Sequence, residues 1–511
     1  MQATSENTKR IAKNTLMLYI RMLFSMAVSL YTTRVILDIL GAGDFGINNL
    51  VGGIISLMGM VTSLLSAGTS RFITIALGKA NIQELKNTFS SSITIHIILS
   101  SIILFIGEFI GPLIVSRLNI PVDRMGAAQY VFQLSLMSAI IGIALTPYQA
   151  AIVAHERMDV YAYISIWEVV AKLATVYLLT IINVDKLKLH STLFFVVGLI
   201  TAMAYLIYCR RHFVECKTIE FKTDKRLYRE IFNYTGWNAI GSLAFTMSNQ
   251  GITILLSIFG TVVNAARGIA GSVSGVVYRF VDSFQVAAKP QIVKLCAVHD
   301  LAGMNNLIMR VSKFSSYLMG LIGIPLFLEM DYVLQLWLKD VPEYTVVFAR
   351  LTLIQGMIQA MDFPLGAGIH AVGKMKLPNI TSSIIYMMIL PISFIFIKLG
   401  ASPEIIYIIV ISVYPLAMLT DLLIIHKYTD FSIWRFLKEV VAKSFCFVLC
   451  TLSVTYIISC QHIDASLGRV IITTFISSLV FVSLVYLLGF TQGERLFVRK
   501  IVIDKLHLNH G

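Results

Sequence analysis

The sequence predicts an all-α polytopic membrane protein with about 14 transmembrane helices, and three observations support this prediction. The chain of 511 residues is 57% hydrophobic and only 14% charged, and its mean hydropathy is +0.79. Soluble domains average about 45–50% apolar and about 25% charged residues. Apolar runs of the roughly 20 residues that cross a bilayer recur along the chain. Basic residues concentrate in alternate connecting segments, as membrane topology requires.

Each apolar run of spanning length marks one predicted helix. The segments between the runs are roughly 20 residues long at most, which leaves no room for an appended ATPase or other soluble domain. The second, seventh, eighth and tenth predicted spans are more polar than the others. The predicted spans lie near 14–38, 45–70, 88–110, 126–149, 159–182, 190–209, 231–259, 263–287, 310–330, 344–370, 377–398, 404–426, 434–459 and 468–490.

Charge placement predicts the orientation of the chain. With both termini in the cytoplasm, most of the 41 lysines and arginines fall in cytoplasmic segments, as the positive-inside rule demands. This topology also explains the net charge of +13, and no basic run interleaved with aromatics indicates nucleic-acid binding. We therefore expect no nucleic-acid partner.

A weak internal sequence repeat predicts that the chain consists of two related halves. Residues Arg34–Gly41 read RVILDILG and residues Thr253–Gly260 read TILLSIFG, which suggests a parallel duplication of six spans. The predicted organisation is an N-terminal lobe over 1–209, a basic cytoplasmic linker over 210–230, a C-terminal lobe over 231–426, two extra spans over 427–490 and a cytoplasmic tail over 491–511.

Residues Gly41–Gly46 read GAGDFG and match the dinucleotide fingerprint by letter. That fingerprint works only between a strand and a helix, whereas here it joins two membrane spans. We therefore predict a tight turn rather than a nucleotide site. The sequence also contains no P-loop and no zinc-ligand spacing, so it predicts no metal or organic cofactor.

Basic residues inside the spans are the strongest functional signal, because each costs about 2.5–3.5 kcal/mol at mid-bilayer on insertion scales. Three have an acid at helical spacing: Arg34 with Asp38, Lys172 with Glu168, and Arg279 with Asp282. The other three, Arg21, Arg267 and Arg350, have none, although Asp362 and Asp421 on distant spans could reach some of them. The surplus positive charge predicts an aqueous, cationic cavity.

Polar and small residues mark three helix faces. Thr352, Gln355, Gln359 and Asp362 recur at spacings of three and four, which predicts a polar face that Pro364 then interrupts. The small residues Gly268, Gly271 and Gly275 in the eighth span allow close backbone approach, and the segment is predicted to be a cavity-lining gate helix. Asn49, Ser56, Ser63 and Ser70 form a stripe in the second span that either packs closely or lines the cavity.

Two segments, Leu30–Ile73 and Asn249–Lys294, resemble spans one, two, seven and eight of Wzx-type polysaccharide flippases. These proteins belong to the multidrug/oligosaccharidyl-lipid/polysaccharide (MOP) superfamily. The resemblance implies two pseudo-symmetric six-helix lobes around a central cavity, a MATE-like fold, with two extra C-terminal helices. It implies transport, not catalysis, of an undecaprenyl-pyrophosphate-linked oligosaccharide between leaflets of the bacterial inner membrane. Membrane lipid and polysaccharide polymerase or chain-length proteins are the implied partners.

Related lipid II flippases use arginines of the first and eighth spans against pyrophosphate, and here Arg21 or Arg34, and Arg267, occupy those spans. A matching arginine within span two is missing, since Arg71 lies at the cytoplasmic edge. The predicted cavity residues are Arg21, Arg34, Arg267, Arg279, Arg350, Gln355, Gln359 and Asn249.

No ATP machinery is present in the sequence, so the expected driving force is either an ion gradient, of H⁺ or Na⁺, or substrate flux. Asp362, Asp421 and Glu168 are the candidate coupling acids. The alternative functions are a multidrug exporter of the same fold, a lipid II flippase, an O-antigen polymerase or ligase, and a non-transporting scaffold.

Overall fold

The computed structural model describes residues 23–53, 69–70, 72–74, 76–77, 81–155, 157–217, 243–374, 376–460 and 464–496. Every regular element within these ranges is a helix. The helices are α1 (Leu23–Gly53), α2 (Ile82–Ser116), α3 (Met125–Ala154), α4 (Met158–Ile181), α5 (Lys186–His212), α6 (Leu243–Phe259), α7 (Thr261–Ala297), α8 (Leu301–Leu328), α9 (Met330–Trp337), α10 (Thr345–Val372), α11 (Lys376–Lys398), α12 (Ile405–Thr429), α13 (Ile433–Ile458) and α14 (Leu467–Gly489).

Eleven of the described helices are long and apolar enough to cross a membrane, namely α1–α5, α8 and α10–α14. The predicted all-α, membrane-spanning fold class is therefore confirmed. Helix α1 covers the described part of the first predicted span and the start of the second as one continuous helix. Gly41 within it has a φ of +73°, a left-handed conformation that glycine adopts without steric cost. The predicted turn therefore does not separate two helices in the described residues, although its first residue has a non-helical φ. The short helix α9 was not predicted.

Polar side chains fix where several helices begin. Asn81 accepts hydrogen bonds from the backbone N–H groups of Gln83 and Glu84 at the start of α2, and Asp300 accepts one from Gly303 at the start of α8. Such caps satisfy donors that lack intrahelical partners.

The described residues fall into two compact units. Unit 1 comprises those of Met1–Ile269, Pro342–Thr345 and Ser382–Ile406, and unit 2 comprises those of Ala270–Val341, Val346–Thr381 and Tyr407–Gly511. The predicted linker at 210–230 stays a prediction, because residues 218–242 lie outside the described ranges.

In unit 1, an arginine joins the predicted GAGDFG turn to two helices. Arg124, just before α3, donates to both carboxylate oxygens of Asp44, with Nε at 2.8 Å from Oδ1. Its Nη1 lies 3.0 Å from Oδ2 of Asp185, which also caps α5 by accepting from Leu187 and Lys188. Asp44 thus has a structural role, which explains the acidic residue in this motif without a nucleotide.

The environment of Asp185 predicts that the stability of the fold depends on pH. Burial raises the pKa of Asp185, but the hydrogen bonds from Arg124 and from backbone N–H groups lower it, and the net pKa lies below the ordinary 3.8. A carboxylate with a depressed pKa stabilises the fold above its unfolded-state pKa, and that stability is lost as the pH falls through the folded-state pKa. Asp185→Asn keeps an oxygen that can cap α5. We expect it to lower the free energy of unfolding by about 1–3 kcal/mol at pH 7 and by progressively less below about pH 4.

Thermal unfolding of the detergent-solubilised protein between pH 7 and pH 3 measures this effect. Asp185→Ala, which loses the cap as well, serves as the comparison and should retain a deficit at low pH. If Asp185→Asn lowered the unfolding temperature by the same amount at pH 7 and at pH 3, the stabilising role assigned to the Asp185 carboxylate would be contradicted.

In unit 2, α13 and α14 pack against α8 through an aromatic core and two ion pairs. Tyr317, Phe447 and Phe481 form the core. Arg469 Nη2 lies 2.9 Å from Oε2 of Glu329, a side chain with 1% of its surface exposed. Near the other end, Lys313 Nζ lies 2.7 Å from Oε2 of Glu494. Helix α14 is thus fixed to α8 near both of its ends.

Candidate functional site

Arg267, predicted as a cavity cation, is held by residues of the preceding helix. Its Nε donates to Oγ1 of Thr253 at 2.9 Å, and its Nη2 donates to the backbone carbonyl of Asn249 at 2.8 Å. The Thr253 hydroxyl donates to the same Asn249 carbonyl at 3.4 Å. These two acceptors are uncharged, and they orient the half-buried guanidinium.

Two side-chain amides connect the start of α7 to α6 and to α1. With its amide oriented to satisfy both neighbours, the fully buried Asn264 side chain donates to the Thr253 carbonyl at 3.0 Å and accepts from the Ser257 N–H at 3.2 Å. Asn49 of α1 donates from Nδ2 to the Asn264 carbonyl at 2.8 Å. We call Asn49, Asn249, Thr253, Asn264 and Arg267 the Arg267 cluster. Three different helices therefore fix the orientation of a single guanidinium.

Close backbone approach makes this arrangement possible. A Cβ atom on Gly46 would lie 1.8 Å from the backbone oxygen of Thr261, the first residue of α7. A Cβ on Gly53 would lie 2.7 Å from Oε1 of Gln250. A Cβ on Gly268 would meet the Asn49 side chain, which favours close packing over a cavity wall at this one position of the span-two stripe. Ser56 and Ser63 lie outside the described residues.

Gly46→Ala should therefore destabilise unit 1. The added methyl group meets backbone, which cannot rotate away, and overpacking of this kind costs about 3 kcal/mol at its upper end. The expected result is a lower unfolding temperature and a lower membrane level of the protein. Gly126→Ala in α3 is the matched control, because no described residue lies within 4 Å of its added methyl. Equal stability of the two variants would contradict the close approach.

The three glycines of the predicted gate helix have different surroundings. A Cβ on Gly268 would lie 2.8 Å from Nδ2 of Asn49, so this glycine packs closely as predicted. No described residue lies within 4 Å of a Cβ placed on Gly271 or Gly275. Close backbone approach at these two glycines therefore stays a prediction.

Arg350 has a partner that sequence spacing did not indicate. Its Nη2 lies 2.6 Å from Oδ2 of Asp331 in α9, and its Nε donates to the Phe327 carbonyl at 2.9 Å. Arg350 has no acid at helical spacing, as the sequence indicates, and its distant partner is Asp331 of the unpredicted helix α9. An ion-paired Arg350 is a weaker candidate for an anionic ligand.

The remaining predicted arginines differ in exposure. Arg279 is exposed and forms no ion pair with Asp282 in the described part of unit 2, so the expected pairing was wrong. Arg34 is half-buried and Asp38 is exposed. Arg21 and Arg71 lie outside the described residues.

The polar face predicted for α10 is less buried than the rest of that helix. The intervening Leu353, Met357, Ile358, Ala360 and Met361 are buried, whereas the stripe residues are all partly exposed, namely Thr352, Gln355, Gln359 and Asp362. The face therefore lies along the more open side of the helix. Helix α10 continues past Pro364 to Val372, close to the predicted end of this span near residue 370.

Two acids of unit 2 form a pair across helices. Asp362 of α10 and Asp421 of α12 lie within electrostatic range of each other. Each has a buried Oδ1 with no hydrogen-bond partner among the described residues. Buried polar atoms normally have partners, and exceptions in native structures often mark functional groups. A bound proton or monovalent cation would satisfy both carboxylates.

Glu168 of unit 1 has a different environment. Its Oε1 lies 2.5 Å from Nζ of Lys172, which confirms the predicted pair. It also lines a cavity of about 370 Å³ together with Gln149 and Ser165. Because Lys172 already balances its charge, Glu168 is a weaker coupling candidate than the acid pair.

The sequence prediction missed the roles of Thr253 and Asn264. Both are polar residues in spans that the prediction had already marked as unusually polar, and Asn264 lies one helical turn before Arg267. The spacing of one helical turn between Asn264 and Arg267 was the sequence feature that could have indicated the role of Asn264. Asn249, predicted to contact substrate, instead donates its side-chain amide to the Phe245 carbonyl at 3.1 Å and holds Arg267 through its backbone.

Comparison with known proteins supports both fold and family. The model of the family described as polysaccharide biosynthesis protein matches residues 8–288. No curated protein sequence matches the chain significantly.

Solved structures give the fold. The lipid II flippase MurJ in an inward closed conformation is similar with a TM-score of 0.69 at 12% identity, over 95% of this chain and 100% of that one. An inward-facing MATE family transporter of the MOP superfamily has a TM-score of 0.66 at 11% identity, over 81% and 98%. A MOP superfamily transporter from Pyrococcus furiosus has a TM-score of 0.56 at 14% identity, over 82% and 96%.

Proposed function

Since the chain belongs to the polysaccharide biosynthesis protein family, we propose that it moves lipid-linked oligosaccharides between the leaflets of the bacterial inner membrane. The chain is a multi-pass membrane protein with the fold of MOP transporters. The proposed substrate is an oligosaccharide on undecaprenyl pyrophosphate, and the proposed direction is from the cytoplasmic to the periplasmic leaflet. The positive-inside rule supports a cytoplasmic position for both termini.

The observation that supports this function best is the Arg267 cluster. A pyrophosphate is recognised by guanidinium groups because their N–H donors match its oxygens in geometry and charge. Thr253 and the Asn249 carbonyl hold Arg267 in one orientation before any ligand binds. Pre-organisation reduces the entropy lost on binding. The apolar helices let the lipid tail stay in the bilayer while the headgroup crosses through a polar, cationic cavity by alternating access.

The acid pair supports coupling to an ion gradient. A proton or Na⁺ bound between Asp362 and Asp421 would change the charge inside unit 2, and a change in buried charge shifts conformational equilibria. Lys172 neutralises Glu168, so we assign coupling to the acid pair alone. The same pair would suit an exporter of cationic compounds, which makes that function the second candidate.

A chromosomal deletion tests the proposed function. The expected result is loss of surface polysaccharide, with undecaprenyl-pyrophosphate-linked oligosaccharide accumulating in the cytoplasmic leaflet. A polymerase or ligase defect would instead leave the oligosaccharide accessible on the periplasmic side. Normal polysaccharide together with hypersensitivity to cationic drugs would favour the exporter and contradict the proposal.

A further inference from the structure

A polar cavity of about 300 Å³ lies at one end of α8, α13 and α14 in unit 2. Ligand pockets in proteins span about 300–1,000 Å³, so this one suits a small headgroup. Its charged lining consists of Arg310, Lys313, Arg435, Glu439 and Glu494. None of its lining residues belongs to the Arg267 cluster or to the acid pair.

Both carboxylates of the cavity already have cationic partners. Lys313 Nζ contacts Glu494 Oε1 at 2.9 Å and Oε2 at 2.7 Å, and Arg435 Nε contacts Glu439 Oε1 at 3.1 Å. Burial raises the pKa of Glu494, but the Lys313 hydrogen bonds and the Thr491 N–H lower it to a net value below the ordinary one. Glu494 is therefore ionised at neutral pH.

Arg310 is the cation in excess. Its side chain is exposed and makes no hydrogen bond or ion pair with any described residue. Three cations against two carboxylates leave one positive charge, which matches the single negative charge of a phosphate diester. The amide of Asn306, which also lines the cavity, can donate a further hydrogen bond to a phosphate oxygen.

The position of the cavity relative to the bilayer points to a lipid headgroup. Trp434, beside Arg435 at the start of α13, is 76% exposed, and exposed tryptophans concentrate at the level of the headgroups. Leu487 and Leu488 near the end of α14 are also exposed. At the same end, Arg495 and Lys443 donate to the carbonyls of these two leucines. Basic pockets between transmembrane helices at this depth bind anionic headgroups.

We propose that this cavity binds one phosphate group, with Arg310 as its principal contact and a phospholipid of the surrounding leaflet as the donor of that phosphate. The bound phosphate would bridge α8, α13 and the segment after α14, and so tie the last two spans to unit 2. The proposal does not depend on the transported substrate.

Native mass spectrometry of the full-length protein in detergent tests this site with phosphatidylglycerol and phosphatidylcholine as probes. We expect phosphatidylglycerol to bind about tenfold more tightly, and Arg310→Gln to remove most of that preference. Arg117→Gln is the matched control, because Arg117 is also exposed and its side chain has no contact among the described residues. Glu439→Gln should strengthen binding by removing a negative charge.

Titration with inorganic phosphate distinguishes the source of the phosphate. Arg310-dependent binding of inorganic phosphate without a preference for phosphatidylglycerol would keep the phosphate site and assign it to a solute. The site would be refuted if Arg310→Gln changed neither the phosphatidylglycerol preference nor the binding of inorganic phosphate.

Discussion

Arg267→Ala is expected to abolish surface polysaccharide while the protein remains in the membrane at its normal level. The substitution removes the guanidinium that the Arg267 cluster orients, and loss of a buried charged contact to a ligand costs about 2 kcal/mol or more. Transport should then fall by at least about 30-fold. Thr253 and Asn249 lose a donor but can still bond to each other, since the Thr253 hydroxyl already donates to the Asn249 carbonyl.

Three comparisons make this result specific. Arg267→Lys should restore transport partly, because it keeps the charge but not the planar set of donors. Arg117→Ala, at an exposed arginine, should leave polysaccharide unchanged. Arg21→Ala tests the first-span arginine predicted from the sequence, with the same expected loss. Normal polysaccharide from Arg267→Ala at normal protein level would exclude a cationic headgroup site at this position.

Asp362→Asn and Asp421→Asn are each expected to remove the dependence of transport on an ion gradient. Each substitution replaces a carboxylate that can bind a proton or cation with a neutral amide of similar size. Because the two acids lie within electrostatic range of each other, we expect the double variant to be no more defective than either single variant. Transport at a series of imposed pH and Na⁺ gradients in proteoliposomes measures the effect.

Asp340→Asn, at an exposed acid beyond α9, is the matched control and should behave as the unmodified protein does. The response to each gradient also identifies the ion, since a proton-coupled pair responds to pH alone. Single variants that keep full gradient dependence would show that the acid pair has no part in coupling.

The sequence predicted the helical, membrane-spanning fold class well, because hydrophobic length is a local property that a bilayer imposes directly. It also located Arg267 and the polar face of α10, since charges and polar periodicity inside apolar runs are costly and visible. The pair of Lys172 and Glu168 was predictable for the same reason, because its members lie one helical turn apart.

Contacts between distant segments were not predictable. Arg350 pairs with Asp331 because the short helix α9 follows α8, and nothing in the hydropathy pattern marks a helix of eight residues. The close approach of Gly46 to Thr261 depends on the crossing of α1 and α7. The roles of Thr253 and Asn264 required knowing that the end of α6 lies beside the start of α7. Such partners are fixed by tertiary packing rather than by sequence spacing.

The binding of undecaprenyl pyrophosphate to the purified protein tests the central claim most directly. The affinity should be at least tenfold weaker for Arg267→Ala than for the unmodified protein, and unchanged for Arg117→Ala. All three proteins should also carry Arg310→Gln, so that the second proposed phosphate site does not contribute to the measured affinity. Equal affinity of the Arg267→Ala and unmodified forms in this background would contradict the account.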